Sequence, residues 1–403
     1  MLSRRATFPV ADSILVLSLD RVAEAICTGI ELALRASRVV NPKSNQQSGA
    51  VMKKSVSTVS RRSVLAGAAG IVPMVFKSSR AAKATSDSLT ITMSGGSYQE
   101  KFARSVAGPF TEETGIKVIF APVVDLAKIK AMQLTGNVEW DIVVIAGTGA
   151  AAGAKEGLFD ELDISSMLDL KDLSVLPTKY IVTFDSYACG IGWDPKKYGP
   201  GKHPVNFAEF FDLKKFPGRR AMRPSPDGTL EIALLADGVA LKDIYPLNVD
   251  RAFKALERIK SNVAWTATAP QTVSLVQTGE VDFSITYNNR VKATNEAGGG
   301  VPLAFSFEQN LIFPDPLVVP KGAPHKESAK KFLAYLLRPE VQARLEDETS
   351  QTPVSKKALT MMSIEARKWL PDMNNPNNLL VNSAYWADNH EAVWPRFQEW
   401  LRT

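Results

Sequence analysis

Two short segments in the second half of the chain concentrate charged side chains suited to binding a small polar solute. Arg223 and Asp227 lie in the first segment, and Arg290 lies in the second. A guanidinium group binds a carboxylate or phosphonate through paired hydrogen bonds, and a carboxylate accepts hydrogen bonds from an amine. For each arginine, the alternative interpretation is a solvated or structural ion pair. The neighbours that would complete such a site are Ser225, Tyr287 and Asn289.

Two segments of small residues offer backbone contacts. Ser94 and Gly95 precede a predicted helix that begins near Tyr98, and Gly147 and Thr148 follow a predicted buried strand. Glycine exposes backbone N–H groups, and the start of a helix favours an anionic group. The alternatives are a tight turn for the first segment and close backbone packing for the second.

Three aromatic side chains are candidates for contact with a ligand. Trp265 is a candidate for stacking, with a position in the core as the alternative. Tyr98 and Tyr287 would complete an aromatic box, which also suits an ammonium group through cation–π attraction.

The sequence lacks the patterns that most catalysis requires. It contains no P-loop, no G-x-G-x-x-G, no Cys-x-x-Cys and no Gly-x-Ser-x-Gly. His203, His325 and His390 lie far apart, which favours surface positions over a shared metal ion. We therefore expect no enzymatic activity, no cofactor and no metal site.

The elements that must position these residues alternate between strand and helix. Strands are predicted over 89–93, 116–120 and 141–145, and helices over 98–114 and 126–134. Gly115 should end the first helix, and Asp125 should cap the second. This βαβαβ order indicates an α/β fold with a mainly parallel sheet and helices on both faces.

A second block of elements runs from about 187 to 283. Its predicted segments are 207–211, 230–241, 249–260 and 272–278, followed by a strand at 317–320 and a helix at 327–337. The aromatic last fifty residues are expected to form helices that pack across one lobe. The 319 residues after position 84 exceed one ordinary core, which favours two domains.

An export signal is predicted near the N-terminus. Residues 60–65 (SRRSVL) precede an apolar run at 66–76 and the sequence AKA at 82–84. This order is typical of a twin-arginine signal with a cleavage site, and it predicts a periplasmic protein. The apolar run is shorter than the ~20 residues of a membrane-spanning helix. The alternatives are a buried helix or a chance arginine pair.

Cleavage after residue 84 would change the charge and the thiol content. Residues 1–84 hold 13 of the 48 basic and 4 of the 42 acidic residues, which leaves 35 against 38 and a net charge near −3. The basic balance of the whole chain therefore does not predict nucleic-acid binding. Cys189 is the single cysteine left, and we expect it to be buried and unreactive. Met52 is the expected start, with 1–51 a gene-calling artefact or, alternatively, a genuine extension.

Several segments resemble one known family in order and spacing. They are 110–118 (FTEETGIKV), 140–144 (WDIVV), 216–219 (FPGR), 278–282 (TGEVD) and, most specifically, 332–341 (FLAYLLRPEV). Over 87–360 the chain resembles the periplasmic solute-binding proteins of ABC importers, of the spermidine/putrescine-binding type.

The resemblance implies a two-lobed periplasmic-binding-protein fold of type II, in which each lobe is a mainly parallel sheet flanked by helices. Lobe 1 would comprise 85–186 and 286–347, and lobe 2 would comprise 187–285 and 348–403. A small ligand would bind between the lobes by hinge closure. The protein, expected to be a monomer, would then deliver the ligand to an ABC permease in the inner membrane.

The candidate site departs from the pattern of the polyamine binders. Ser225 and Gly228 stand where the resemblance implies carboxylates, and Arg290 stands where it implies an acidic residue. A diammonium ligand would lose its partners and be repelled by Arg290. We therefore predict an amino-acid-like or carboxylate-bearing ligand, with one amine facing Asp227. A polyamine is the alternative, and ferric ion is disfavoured because no Tyr-Tyr pair occurs.

Overall fold

A computed structural model describes residues 88–93, 95–122 and 125–403. The predicted export signal, Met52 and Ser94 lie outside these described residues. The strands are β1 Ser88–Met93, β2 Lys117–Pro122, β3 Ile142–Val144, β4 Val182–Trp193, β5 Arg220–Met222, β6 Val263–Trp265, β7 Phe283–Tyr287, β8 Ala304–Phe305, β9 Leu311–Val318, β10 Thr352–Pro353 and β11 Leu379–Leu380.

The helices fall between the strands, as the alternating pattern predicts. They are α1 Gly96–Phe102, α2 Gly108–Thr114, α3 Leu126–Thr135, α4 Gly147–Lys155, α5 Phe207–Phe211, α6 Pro226–Ala236, α7 Val249–Glu257, α8 Gln271–Gln277, α9 Asn288–Thr294, α10 Lys326–Leu336, α11 Pro339–Thr349, α12 Lys356–Met361, α13 Ile364–Arg367 and α14 Ser383–Arg402. A π-helical segment, Ala103–Ala107, joins α1 to α2.

Two predicted helix ends are confirmed by their backbone geometry. Gly115 ends α2 in the left-handed region, with a φ of 74°. Asp125 caps α3, because its carboxylate accepts a hydrogen bond of 2.9 Å from the Lys128 amide. Such helix boundaries matter for the candidate site, because the loops that lead into helices expose backbone N–H groups.

One sheet runs through the described part of the chain, in the strand order β2-β1-β3-β9-β4-β7-β5-β6. The three strands at each end are parallel to one another, whereas β9 and β4 pair antiparallel at the centre. Strand β9 also pairs antiparallel with β3, and β4 with β7. The long strands β4 and β9 thus connect two α/β units, which is the two-lobed architecture expected from the sequence.

Each unit has its own hydrophobic core. One core is built around β1 and β3, with Phe102, Phe110 and Phe332 buried from the helices that cover them. The other is built around β4, β5 and β7 and takes Trp386 and Phe397 from α14. The aromatic C-terminal helix contributes to this core, and it also contacts α4 of the other unit through the ion pair between Lys155 and Asp388. The prediction that it packs across one lobe was therefore incomplete. The predicted residue boundaries of the lobes stay a prediction.

Strand β9 begins six residues before the strand predicted at 317–320. Pro314 and Pro316 lie inside it, and proline cannot donate to a strand ladder. The structure accommodates them in the pairing with β4, which has an irregularity between Thr183 and Asp185. The prolines hid the strand from sequence analysis and, with it, three residues that line the candidate site, Phe313, Pro314 and Asp315. Among the described helices, none is long and apolar enough to span a membrane.

Candidate ligand-binding site

Four loop segments enclose two adjoining cavities. The segments follow β1, β3, β5 and β7, at the strand ends where open α/β sheets bind ligands. The smaller cavity has a volume of about 230 Å³ and the larger about 820 Å³. Tyr187 and Tyr287 line both, with ring centroids 5.4 Å apart and nearly perpendicular planes. The cavities are therefore two compartments of one cleft.

The smaller compartment combines residues from the β3–α4 and β5–α6 loops. Its polar lining includes Thr148, Arg223, Ser225 and Asp227, and the backbone of Gly147 also contributes. The Ser225 hydroxyl donates a short hydrogen bond to the Asp227 carboxylate, and these residues lie where α6 begins. The loop therefore presents one guanidinium and one carboxylate to the same small space.

Arg223 has unused hydrogen-bonding capacity. Its Nη1 atom is buried and has no hydrogen-bond partner among the described residues. The loop that carries it is held by the Thr229 hydroxyl, which donates to the Arg223 carbonyl at 3.1 Å. A buried donor without a partner costs free energy, so this group favours an acceptor supplied by a ligand.

The larger compartment has a different polar lining. Gly95, Tyr98, Asn289 and Arg290 contribute to it. The Asn289 amide donates to Gln351 at 3.2 Å, while its Oδ1 atom is buried without a partner among the described residues. The Tyr98 hydroxyl is also buried without a hydrogen-bond partner among the described residues. Together these atoms could accept hydrogen bonds from a ligand or donate one to it.

The two arginines act on the same tyrosine. Burial lowers the pKa of Arg290, and the charge of Arg223 lowers it further, whereas Tyr287 and Tyr187 act in the opposite direction. Burial raises the pKa of Tyr287, and both guanidinium groups oppose that shift. Tyr287 lines the smaller compartment with Arg223 and the larger compartment with Arg290, so each compartment carries one of the two guanidinium groups.

A second carboxylate, from Asp315, lines the larger compartment. Its Oδ2 atom accepts a hydrogen bond of 3.3 Å from Gln351, and burial raises its pKa to about 6. Gln351 also donates to the fully buried Asp185 at 2.9 Å. Burial raises the pKa of the neighbouring Glu346 to about 8. This side of the cleft therefore contains several carboxyl groups, but their raised pKa values mean that they carry less negative charge at neutral pH than exposed carboxylates would.

Ten of the twelve site residues predicted from the sequence line one or both compartments. Trp265 does not. It packs edge-on against Trp400, with ring centroids 5.8 Å apart, and is partly buried against the core beside α14. Ser94 lies outside the described residues. The roles of the ten in binding a ligand stay a prediction.

Sequence analysis missed several lining residues. Tyr187 stacks on Phe313 with ring centroids 5.4 Å apart, and Asp315 follows two positions later on the same strand. Val381 and Ser383 enter from the start of α14, more than 150 positions beyond Arg223. The alternation of β4 marks Tyr187 as a strand residue, but no local pattern predicts the approach of α14.

Cys189 lies in the wall of the smaller compartment and is buried, as predicted. Burial raises the pKa of its thiol to about 12. A thiol of that pKa is almost entirely protonated at neutral pH, so it is a poor nucleophile.

The fold and the cleft define a two-lobed solute-binding protein, and comparisons with known proteins agree. Residues 105–371 match the family of bacterial extracellular solute-binding proteins. A gamma-aminobutyric acid-binding protein of Pseudomonas aeruginosa is 32% identical over 340 residues, which cover 79% of this chain and 92% of that protein. The spermidine/putrescine-binding periplasmic protein of Escherichia coli K12 is 25% identical over 311 residues, covering 73% and 85%.

A solved structure supports the same assignment. The binding protein AgtB from Agrobacterium tumefaciens R10, in complex with agropinic acid, is 31% identical and has a TM-score of 0.70. The match covers 79% of this chain and 99% of AgtB.

The chain belongs to the bacterial extracellular solute-binding proteins, and the resemblance to the polyamine-binding-like family is confirmed. It is the solute-binding component of an ABC importer. Proteins of this family bind small ligands, work with ABC transporter permeases and act outside the cytoplasm.

Proposed function

We propose that the protein binds a small amino-acid-like solute that carries a carboxylate, and delivers it to an ABC permease. The observation that supports this ligand class is the pair Arg223 and Arg290, which line the two adjoining compartments that share Tyr287. One of the two has a buried N–H group without a partner among the described residues. A carboxylate placed between them would neutralise the repulsion and satisfy that donor.

The electrostatics disfavour an ammonium group at this position. Two unit charges about 4 Å apart interact by about 4 kcal/mol at an effective dielectric constant of 20. The sign is favourable for a carboxylate and unfavourable for an ammonium ion. The end of the ligand near Tyr287 is therefore anionic.

Each compartment also offers a partner for an amine at the other end of the ligand. Asp227 lies in the smaller compartment and Asp315 in the larger. A zwitterionic solute with its carboxylate at the arginines could reach either aspartate. Relatives named for gamma-aminobutyric acid and solved with agropinic acid fit this chemistry.

A polyamine remains the second candidate function. It is favoured by the carboxylates of Asp227 and Asp315 and by three tyrosine rings in the cleft, Tyr98, Tyr187 and Tyr287. Arg223 and Arg290 disfavour a polyamine, because an ammonium group of the ligand that lies near either guanidinium group would be repelled by it.

The decisive experiment compares two ligands that differ at one end. γ-Aminobutyrate and putrescine share a four-carbon chain and one amine, but the other end is a carboxylate or a second ammonium group. Thermal-shift and calorimetric titrations should show that γ-aminobutyrate raises the unfolding temperature and putrescine does not. Tight putrescine or spermidine binding, without a response to any carboxylate compound, would refute the proposed ligand class.

Hinge closure is part of the proposal. Lobe 1, 85–186 and 286–347, would close on lobe 2, 187–285 and 348–403, and the monomer would dock on the permease in the closed form. Small-angle scattering should show a smaller radius of gyration at saturating ligand. An unchanged radius at saturation would contradict closure.

Twin-arginine export to the periplasm is also proposed, from the sequence at 60–65. Replacing both arginines, Arg61→Lys with Arg62→Lys, should retain the protein in the cytoplasm on cell fractionation. Export of the double variant at the normal level would contradict this route.

A further inference from the structure

Glu231 is a fully buried carboxylate that contacts three separate segments. It lies in α6 with 0% exposure. Its Oε2 atom accepts a hydrogen bond of 2.8 Å from the Gly228 amide. Its Oε1 atom accepts one of 2.6 Å from Trp386 Nε1 and one of 2.8 Å from the Tyr245 hydroxyl. Three donors converge on one carboxylate, so the ionised form satisfies them all.

The first of these bonds fixes the loop that lines the smaller compartment. Gly228 has a φ of 83°, and the chain leaves helical geometry at Asp227 and Gly228 before α6 continues. A Cβ atom at Gly228 would lie 3.0 Å from Cζ of Phe313, which lines the same compartment. Glu231 thus reaches back three residues to hold a backbone position in close contact with the wall of the site.

The other two bonds fix the start of α14. Trp386 lies in the first turn of that helix, and Ser383 lines the smaller compartment. The Tyr245 hydroxyl accepts a hydrogen bond of 3.0 Å from the amide of Asn382, the residue that caps α14. One carboxylate therefore connects two parts of the compartment wall that are distant in sequence.

We propose that Glu231 is a positioning residue, whose ionised carboxylate holds the 223–229 loop and the start of α14 in the arrangement that binds the ligand. The effect on affinity rests on the proposed function, whereas the effect on the loop itself does not. A residue that only capped α6 would leave the start of α14 unaffected.

The titration of Glu231 gives this arrangement a pH dependence. Burial raises its pKa to about 7, the bonds from Trp386 and Tyr245 oppose the shift, and the charge of Asp227 adds to it. Tyr385 is the other titratable group that interacts with it. Protonation places a hydrogen on one carboxyl oxygen of Glu231 and makes that oxygen a weaker acceptor, so at least one of the three hydrogen bonds weakens. Affinity should therefore fall as the pH drops below 7 and level off at about the tenfold loss expected of Glu231→Gln.

The test uses Glu231→Gln, Trp386→Phe and the double variant, with γ-aminobutyrate as the probe. In Glu231→Gln, the side-chain NH2 group would face one of the three N–H or O–H donors that now bind the carboxylate. In Trp386→Phe, the Nε1–H donor to Glu231 is removed. Each single variant should weaken binding by about tenfold, and the double variant should be no weaker than Glu231→Gln, because both changes break one unit. Glu231→Gln should also remove the loss of affinity below pH 7.

Hydrogen exchange in the unliganded protein gives a readout that needs no ligand. Glu231→Gln should speed exchange in peptides covering both 223–230 and 381–386. The matched control is Glu257→Gln, since Glu257 accepts a hydrogen bond from Trp400 Nε1 on the same helix, away from the cleft. That variant should leave both peptides unchanged.

The outcomes separate the two proposals. Unchanged exchange in the 381–386 peptide, or additive effects of the two substitutions on binding, would overturn the role of Glu231. If Glu231→Gln does not fold, Trp386→Phe and Tyr245→Phe decide the question through the same peptides. Failure of the wild type to bind γ-aminobutyrate or any other carboxylate compound would refute the ligand class alone, because the exchange result is independent of it.

Discussion

Replacing Arg290 by methionine should weaken ligand binding without harming the fold. Arg290 lines the larger compartment, is partly buried and interacts unfavourably with Arg223. Methionine keeps an unbranched side chain and removes the charge. The variant therefore loses a charged partner for the carboxylate of the ligand, while the unliganded protein is relieved of a repulsion.

The size of the effect follows from the environment of the side chain. A hydrogen bond to a charged group contributes about 1.5–3 kcal/mol, which corresponds to roughly 10- to 100-fold in affinity. We expect the lower part of that range, because Arg290 is only partly buried and water screens its charge. The unfolding free energy of the unliganded variant should be equal to that of the wild type or slightly higher.

Calorimetric titration with γ-aminobutyrate measures the loss, and denaturant unfolding measures stability. Arg219→Met is the matched control, since Arg219 is exposed and lies outside both compartments. Arg290→Asp should in addition increase the affinity for putrescine, because it restores an acidic group. Equal affinities of the wild type and Arg290→Met for every carboxylate ligand would refute the reasoning.

Three further predictions concern stability and reactivity. Gly228→Ala should lower the unfolding free energy by about 1–2 kcal/mol in denaturant titration, because its φ of 83° and the 3.0 Å approach to Phe313 both disfavour a Cβ atom; unchanged stability would contradict the backbone geometry. Cys189 should resist alkylation by iodoacetamide at pH 8 in the native protein, since its thiol pKa is about 12, and rapid labelling would show that it is accessible. Burial raises the pKa of Glu346 to about 8 in the folded protein. The contribution of protonated Glu346 to the unfolding free energy is therefore complete at a pH below its pKa in the unfolded chain, and it is lost as the pH rises towards 8. Glu346→Gln should therefore flatten the pH profile of stability between pH 5 and 8, and an unaltered slope would count against this origin.

Local sequence patterns predicted the elements well where a single signal dominates. Gly115 and Asp125 mark helix ends because backbone conformation and capping are local properties. Within each unit, the loops after β1 and β3, and likewise those after β5 and β7, could be placed together because the strands of that unit are parallel and share the direction of their carboxyl ends. Most of the predicted site residues therefore line the cleft.

The failures have a common cause. Trp265 is a residue type suited to stacking on a ligand, but it packs instead against Phe397 and Trp400 of α14. Asp315 lies between Pro314 and Pro316, so the local sequence does not predict a strand there, and the strand forms through its pairing with β4. In both cases, a partner distant in sequence decides the environment.

The sequence by itself determined the class of the protein, the alternation of strands and helices, and the presence of Arg290 where the resemblance to polyamine binders implies an acidic residue. These are properties of residue type and short-range order. Only the tertiary structure decided that Arg223 and Arg290 line adjoining compartments that share Tyr287, that Asp315 lines the larger compartment, and that Glu231 connects the ligand loop to α14. Such relations depend on long-range packing, which brings together groups more than 60 positions apart and removes the water that would otherwise screen them.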